Sequence, residues 1–229
     1  MKKFLLSFIL VLLSLGLHAQ DLSQCKKVVL ETDSGRIVLA LYNETPQHRD
    51  NFLKLVEKGF YDGVLFHRVI NRFMVQTGDS ATRHARPGEQ LGSGGYETHK
   101  IPAEIKWPQF FHKKGALAAA REGNQTNPKW ESSMCQFYIV TGRRFDANML
   151  EDAEERIFRD THKSVTFPQE LQDAYFRIGG APHLDTQYTV FGEVVEGLDV
   201  VDRIQLMPVD DFNRPLTDIH IISARVMKE

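Results

Sequence analysis

The chain has 229 residues, with 28 Lys or Arg against 30 Asp or Glu, a net charge of -2, and 42% hydrophobic residues. That is enough apolar content for a real core, and neither basic clustering nor basic-aromatic interleaving supports a nucleic-acid partner. The two cysteines and nine histidines show no paired ligand spacing, which argues against zinc or any other metal.

In chain order, residues 1–19 are set apart from the fold. Lys2 and Lys3 precede an almost unbroken apolar run over 4–17, and Ala19 offers a small residue for cleavage. The run is shorter than the roughly 20 residues that a bilayer span needs, so it is read as a secretory signal peptide. Residues 20–229 would form one exported domain with no membrane span after cleavage, periplasmic in a Gram-negative source. Cys25 and Cys135 would then meet an oxidising compartment. A disulfide between them stays open, because the sequence does not give the distance between their Cα atoms.

The runs 28–31 and 36–41 flank Thr32-Asp33-Ser34-Gly35 and predict a strand-turn-strand unit. Thr45-Pro46 predicts a helix start with Thr45 as cap; Phe52, Leu55 and Val56 supply its buried face and Gly59 its stop. Strands are predicted over 64–70 and 74–77. The first holds Arg68 between Phe66 and Ile70, a permanent charge in an apolar run that is costly unless its donors are satisfied or used.

A polar, glycine-rich stretch, 79–100, reads as a loop bordering a site, since no Lys-Ser/Thr pair completes a phosphate loop. Strands follow at 115–120 and 135–141. The segment 142–182 then shifts toward helix formers and charge, and predicts a helical hairpin. Asn148 to Glu151 and Thr166 to Gln169 look like capping boxes, with Ile157 and Phe158 on one apolar face and Leu171, Tyr175 and Ile178 on another. A strand at 189–195, a helix near 197–204 and a strand at 220–226 complete a mainly β chain.

Four blocks in order carry a resemblance to the cyclophilin-type peptidyl-prolyl isomerases. They are Phe66-His67-Arg68-Val69-Ile70 through Phe73-Met74-Val75-Gln76-Thr77-Gly78-Asp79; Gly92-Ser93-Gly94-Gly95 with Ile101-Pro102-Ala103-Glu104; Gly115-Ala116-Leu117-Ala118-Ala119-Ala120-Arg121 leading to Gln136-Phe137-Tyr138-Ile139; and His183-Leu184-Asp185 through Val190-Phe191-Gly192. The resemblance implies an eight-stranded antiparallel barrel capped by two helices, interrupted by the inserted α-helical segment 142–182. It implies a cofactor-free enzyme that accelerates rotation of X-Pro bonds in exported, folding proteins. Arg68 falls on the family's catalytic arginine, with Gln76 beside it. Phe73, Met74, Tyr138 and Leu184 fall on the proline pocket, and Ala120, Arg121 and Gln136 on the peptide-holding groups.

Three departures matter. Tyr138 replaces the usual Phe and brings a hydroxyl to the pocket rim that needs a partner. His183 replaces the Trp with which many members bind ciclosporin, so weak drug binding is expected. Arg121 and Tyr188 replace Asn and His. His67 is expected to be a satisfied structural histidine, because amide rotation needs no proton transfer. The rival function is a peptide-binding or chaperone module using the same groove with little turnover.

Overall fold

The computed structural model describes residues 22–86, 88–92 and 98–228; the expected signal peptide, residues 1–19, and most of the Gly92 to Gly95 block lie outside them. The chain opens with the expected hairpin of β1 (Lys26–Thr32) and β2 (Gly35–Leu41), paired in register from Lys26–Leu41 to Thr32–Gly35. Its turn is held by the Thr32 hydroxyl, which donates to the Gly35 carbonyl at 2.7 Å and accepts from the Ser34 N–H at 3.1 Å.

Helix α1 (Pro46–Glu57) begins at Pro46 and stops at Gly59, whose φ is +65°. Thr45 does not cap it: its hydroxyl is turned back to the Tyr42 carbonyl at 3.4 Å. The orphan N–H groups of Gln47 and His48 instead donate to the Glu104 carboxylate, at 3.2 and 3.0 Å. Glu104 also receives His48 Nδ1 at 2.7 Å, and His48 Nε2 lies 2.9 Å from Ser132 Oγ. A cap delivered from so far along the chain leaves no local signature.

The remaining elements are β3 (Val64–Leu65), β4 (Arg68–Ile70), β5 (Met74–Thr77), β6 (Lys100–Ile101), β7 (Ala116–Ala119), β8 (Ser132–Ser133), β9 (Phe137–Val140), α2 (Ala147–Thr161), α3 (Gln169–Arg177), β10 (Val190–Glu196), α4 (Leu198–Gln205) and β11 (His220–Val226). The large sheet is antiparallel throughout, in the order β3-β11-β1-β2-β10-β7-β9-β5-β4. Its two ends, β3 and β4, are consecutive in the chain and separated only by Phe66 and His67. One stretch of backbone therefore pairs with β11 through its first half and with β5 through its second, and the sheet curls back on itself. Counting β3 and β4 as one strand gives the eight expected.

Inside the curl, Leu30, Leu39, Phe137, Ile139 and Phe191 form one apolar core. Helices α1 and α4 bury Phe52, Leu55 and Val56, and Val200, Val201 and Ile204, in that same core. Burial of such side chains stabilises by about 1.5–3 kcal/mol each. A second small sheet pairs β6 with β8; strands of two residues carry no periodicity by which a sequence could show them.

The helical hairpin at 142–182 is present with shifted caps. Asp146, not Asn148, caps α2 by accepting from the Met149 N–H at 2.9 Å. At α3, Thr166 makes no cap, and the Phe167 N–H goes to Glu154 on the facing helix. Leu150, Ala153, Ile157, Phe167, Leu171 and Tyr175 bury a separate apolar cluster, whereas Phe158 is 50% exposed and off that face. The hairpin is seated by Gly142 against Gly180: a Cβ on Gly142 would fall 2.4 Å from the Gly180 Cα, so no larger residue fits. Cys25 and Cys135 are both buried and are not joined in a disulfide.

Candidate active site

Four neighbouring strands set the site. The register pairs Arg68 with Gln76, Gln76 with Tyr138, and Tyr138 with Ala118, so residues distant in sequence come to one face of β4, β5, β9 and β7. Arg68 Nη1 donates to Gln76 Oε1 at 3.1 Å, and Gln76 Nε2 donates to Gln136 Oε1 at 3.0 Å. Gln76 is thus fixed at both ends, and the guanidinium is held by a neutral partner. Among the described residues no carboxylate lies within ion-pair reach of Arg68. Burial pulls its pKa below the ordinary value, yet a guanidinium stays charged under any ordinary condition. A half-buried cation with spare donors is thereby aimed at open space.

That space is a cleft of about 240 Å³ lined by Arg68, Phe73, Met74, Gln76, Ala120, Arg121, Tyr138, Leu184 and Tyr188. Met74, Tyr138 and Leu184 are buried and form its apolar floor. The Ala120 N–H is taken by the Gln136 carbonyl at 3.0 Å, and its carbonyl accepts from Ser133 N–H at 2.8 Å while keeping a second lone pair. The Arg121 side chain is held in place at the cleft wall: Nε donates to the Gln187 carbonyl at 2.9 Å, and the guanidinium lies 4.3 Å from the Tyr188 ring centroid.

Two expected site residues do not line this cleft. Gln136 stands behind Gln76 as its brace. His183 lies beyond Phe73, with ring centroids 5.4 Å apart, and faces a neighbouring cleft. The cause is the short turn Pro182–Leu184, which delivers Leu184 to the floor and carries His183 to the other side.

The Tyr138 hydroxyl does not reach the rim. It points through the back wall to His112 Nε2 at 3.0 Å; His112 Nδ1 meets Asp185 Oδ1 at 2.7 Å, and Tyr175 donates to Asp185 Oδ2 at 2.7 Å. The His112 N–H also donates to Asp185 Oδ1, at 2.9 Å. A carboxylate only accepts, so Nδ1–H faces Asp185 and leaves Nε2 to accept the Tyr138 hydroxyl. Burial drives the pKa values of Tyr138 and Tyr175 well above that of ordinary phenols, and both stay neutral donors. The cleft therefore sees only the Tyr138 ring, as it would a phenylalanine. His112, Asp185 and Tyr175 were not legible as site residues, since 73 residues separate the first two.

His67 departs from expectation. It is buried, and neither ring nitrogen has a hydrogen bond of good geometry among the described residues, although the Leu65 backbone lies near enough to favour its protonated form weakly. A Cβ on Gly92 would sit 2.9 Å from its ring, so the loop covers it closely. Burial, above all, holds the pKa of His67 down at about 4 and that of His183 at about 3, and lowers that of His48. The unfolded chain takes up protons at these rings below about pH 6.5, while the folded chain holds His67 and His183 neutral until far lower and His48 until somewhat lower. Their contribution to stability is therefore complete above that value. It is lost as pH falls toward about 4 for His67, at up to about 1.4 kcal/mol per pH unit per ring. Urea midpoints measured from about pH 7.5 down to about pH 4.5 should decline, and His67→Asn should reduce the slope. A flat profile overturns the expectation.

Comparison with known proteins agrees with this geometry. The model of the cyclophilin-type peptidyl-prolyl cis-trans isomerases matches residues 27–226. The chain belongs to that family. A protein of Staphylococcus aureus (strain USA300) named as a peptidyl-prolyl cis-trans isomerase is 34% identical over 202 residues, covering 87% of this chain and 91% of its own. One of Staphylococcus saprophyticus with the same name is 32% identical over 204 residues, covering 88% of this chain and 92% of its own. A crystal structure of a Cryptosporidium parvum cyclophilin superposes with a TM-score of 0.64 at 21% identity, covering 90% of this chain and 99% of that one. A second structure of that protein, in the presence of the dipeptide Ala-Pro, gives 0.61 at 21% identity over 89% of this chain and 99% of its own. The cyclophilin is thus a peptidyl-prolyl isomerase, an activity that needs no cofactor.

Proposed function

We propose that Arg68 is the catalytic donor, that Gln76 aligns it, and that Phe73, Met74, Tyr138 and Leu184 grip the proline ring while the preceding carbonyl rotates. The observation that carries this assignment is the half-buried guanidinium, facing an apolar cleft with no carboxylate near it among the described residues.

The barrier to rotation, about 18–20 kcal/mol, comes from resonance between the proline nitrogen and the carbonyl. As the carbonyl turns out of plane, the nitrogen becomes pyramidal and regains a lone pair. A donor directed at that nitrogen bonds strongly only in the twisted state, so its energy lowers the barrier rather than deepening the ground state. Arg68 suits this because its charge is permanent and its planar donors are directional. Gln76 Oε1 holds one of those donors, fixing the plane of the guanidinium before substrate arrives. The apolar floor fixes the ring, so that rotation falls on the N-terminal side. The second lone pair of the Ala120 carbonyl and the main chain at Arg121 would hold the peptide there. No bond breaks, and no nucleophile or metal takes part.

We further propose that the enzyme is exported and acts on X-Pro bonds of folding proteins outside the cytoplasm, in the periplasm if the source is Gram-negative. The support is the basic and then apolar order of residues 1–19. Mass spectrometry of the full chain expressed in its source should find a mature N-terminus at Gln20 in the exported fraction. An intact Met1 in the cytoplasmic fraction defeats this reading. Ciclosporin is expected to bind weakly, since His183 faces away from the cleft.

A further inference from the structure

Beside the proline cleft, on the far side of Phe73, lies a second and larger one of about 510 Å³. Its walls come from the β4–β5 turn and from the helical hairpin, and Phe73 lines both clefts. Arg72, Arg143 and Arg156 stand around it, opposed within the cleft by Asp152 alone. Among the described residues Arg156 pairs only with Asp160, at 3.8 Å and partly exposed, and Arg143 lies over the Phe145 ring at 5.4 Å. Arg72 sits at φ +60°, a left-handed conformation that a non-glycine residue holds at some cost, and its N–H is pinned by Gln205 Oε1 at 3.0 Å. The main chain of Arg72 is thereby fixed beside the cleft that the residue lines. His183, neutral because of burial and then of the nearby Arg156, His112 and Arg143, adds no competing charge.

We infer that this second cleft is a specificity subsite of the isomerase, taking an acidic side chain of the same peptide whose proline fills the first. The inference rests on the assignment of the proline to the Arg68 cleft. Two features of the molecule carry it. The clefts share a wall one aromatic ring thick, a distance that an extended chain, at roughly 3.3–3.6 Å per residue, crosses in about two residues. The excess charge in the second is positive, with planar donors that pair with carboxylates. The preferred substrates therefore carry Asp or Glu about two residues from the proline, on one side of it only.

The test uses C-terminally amidated peptides, so that the chain end offers no carboxylate. Each has a single Ala-Pro bond and one Glu, Gln or Lys placed in turn at the positions on either side. Exchange is followed by NMR without a coupling protease. At low salt, Glu at one position should raise kcat/KM about threefold to tenfold over Gln, with Lys below Gln. The gain should shrink as salt screens it. In the double variant Arg143→Gln, Arg156→Gln the ratio of Glu to Gln turnover should fall toward one, with its circular dichroism and thermal melt reporting the fold. Equal rates for Glu, Gln and Lys at every position overturn the subsite, as does a double variant that keeps the preference. Failure of the wild type to accelerate exchange in any peptide defeats the isomerase assignment itself, and with it the subsite.

Discussion

Alanine at Arg68 is expected to lower kcat/KM for a proline peptide by about 10²- to 10³-fold, the loss typical of removing one donor aimed at charge that develops in a transition state. The fold should survive. Arg68 is only half-buried, makes no ion pair among the described residues, and bonds a single neutral side chain, Gln76. The variant leaves Gln76 Oε1 without its donor, but at the wall of an open cleft that water reaches, so the stability loss should stay near about 1 kcal/mol. Lysine should recover little. An ammonium is a point charge on a flexible stem and cannot bond Gln76 and the proline nitrogen in one rigid plane. Peptide binding, measured by titration, should weaken much less than turnover, because Phe73, Met74, Tyr138 and Leu184 keep the proline site. A variant that matches the wild type in an NMR exchange assay removes Arg68 from the mechanism. A wild type that binds unfolded protein without accelerating isomerisation would favour a holding module over an enzyme.

What the sequence could reveal follows from how far apart the partners lie. The β1–β2 hairpin, the α1 stop at Gly59 and the Pro46 start depend on neighbours a few residues away, and each is readable from spacing alone. That Arg68, Phe73, Met74, Gln76, Tyr138 and Leu184 share one cleft was also legible, although its walls come from four strands and a turn. There the family register of Arg68, Phe73, Met74, Gln76, Tyr138 and Leu184 stood in for three-dimensional proximity. Where neither locality nor register helps, the reading misses. Glu104 caps α1 from 56 residues away in place of Thr45. The break at Phe66 and His67 arises because the strand changes partners, which an alternating pattern does not record. His183 occupied the expected position in sequence, but the turn that places Leu184 in the floor carries it into the next cleft. The Tyr175 hydroxyl on α3 donates to Asp185, so deleting the hairpin would remove a support of the proline cleft along with any partner surface.

That support gives the second large effect. Asp185→Ala should destabilise the protein by about 3–5 kcal/mol, the range for removing one member of a buried charged network. Asp185 is 1% exposed and serves three donors: the His112 N–H, the His112 ring and the Tyr175 hydroxyl. Alanine would leave all three in a space that the neighbouring helix and strands shield from water. For a chain of this length the loss corresponds to a fall in Tm of roughly 6–20 °C. Two milder variants separate the parts of the network. Tyr175→Phe removes one donor and leaves Asp185 with two, so about 1 kcal/mol is expected. Tyr138→Phe leaves His112 Nε2 without its hydroxyl but keeps the cleft lining, so stability should fall by about 1–2 kcal/mol with turnover little changed. Asp185→Ala should also depress turnover under conditions where it remains folded, because the His112 ring that buttresses Tyr138 loses its orientation while Arg68 and Gln76 are untouched. The ordering is the decisive readout: Asp185→Ala well below both tyrosine variants in Tm, with kcat/KM lowered only in the first. If Asp185→Ala melts with the wild type, the buried relay does not hold the wall of the Arg68 cleft, and the hairpin is anchored by its apolar cluster, the Gly142–Gly180 contact and bonds such as Asn124 to the Asp160 carbonyl.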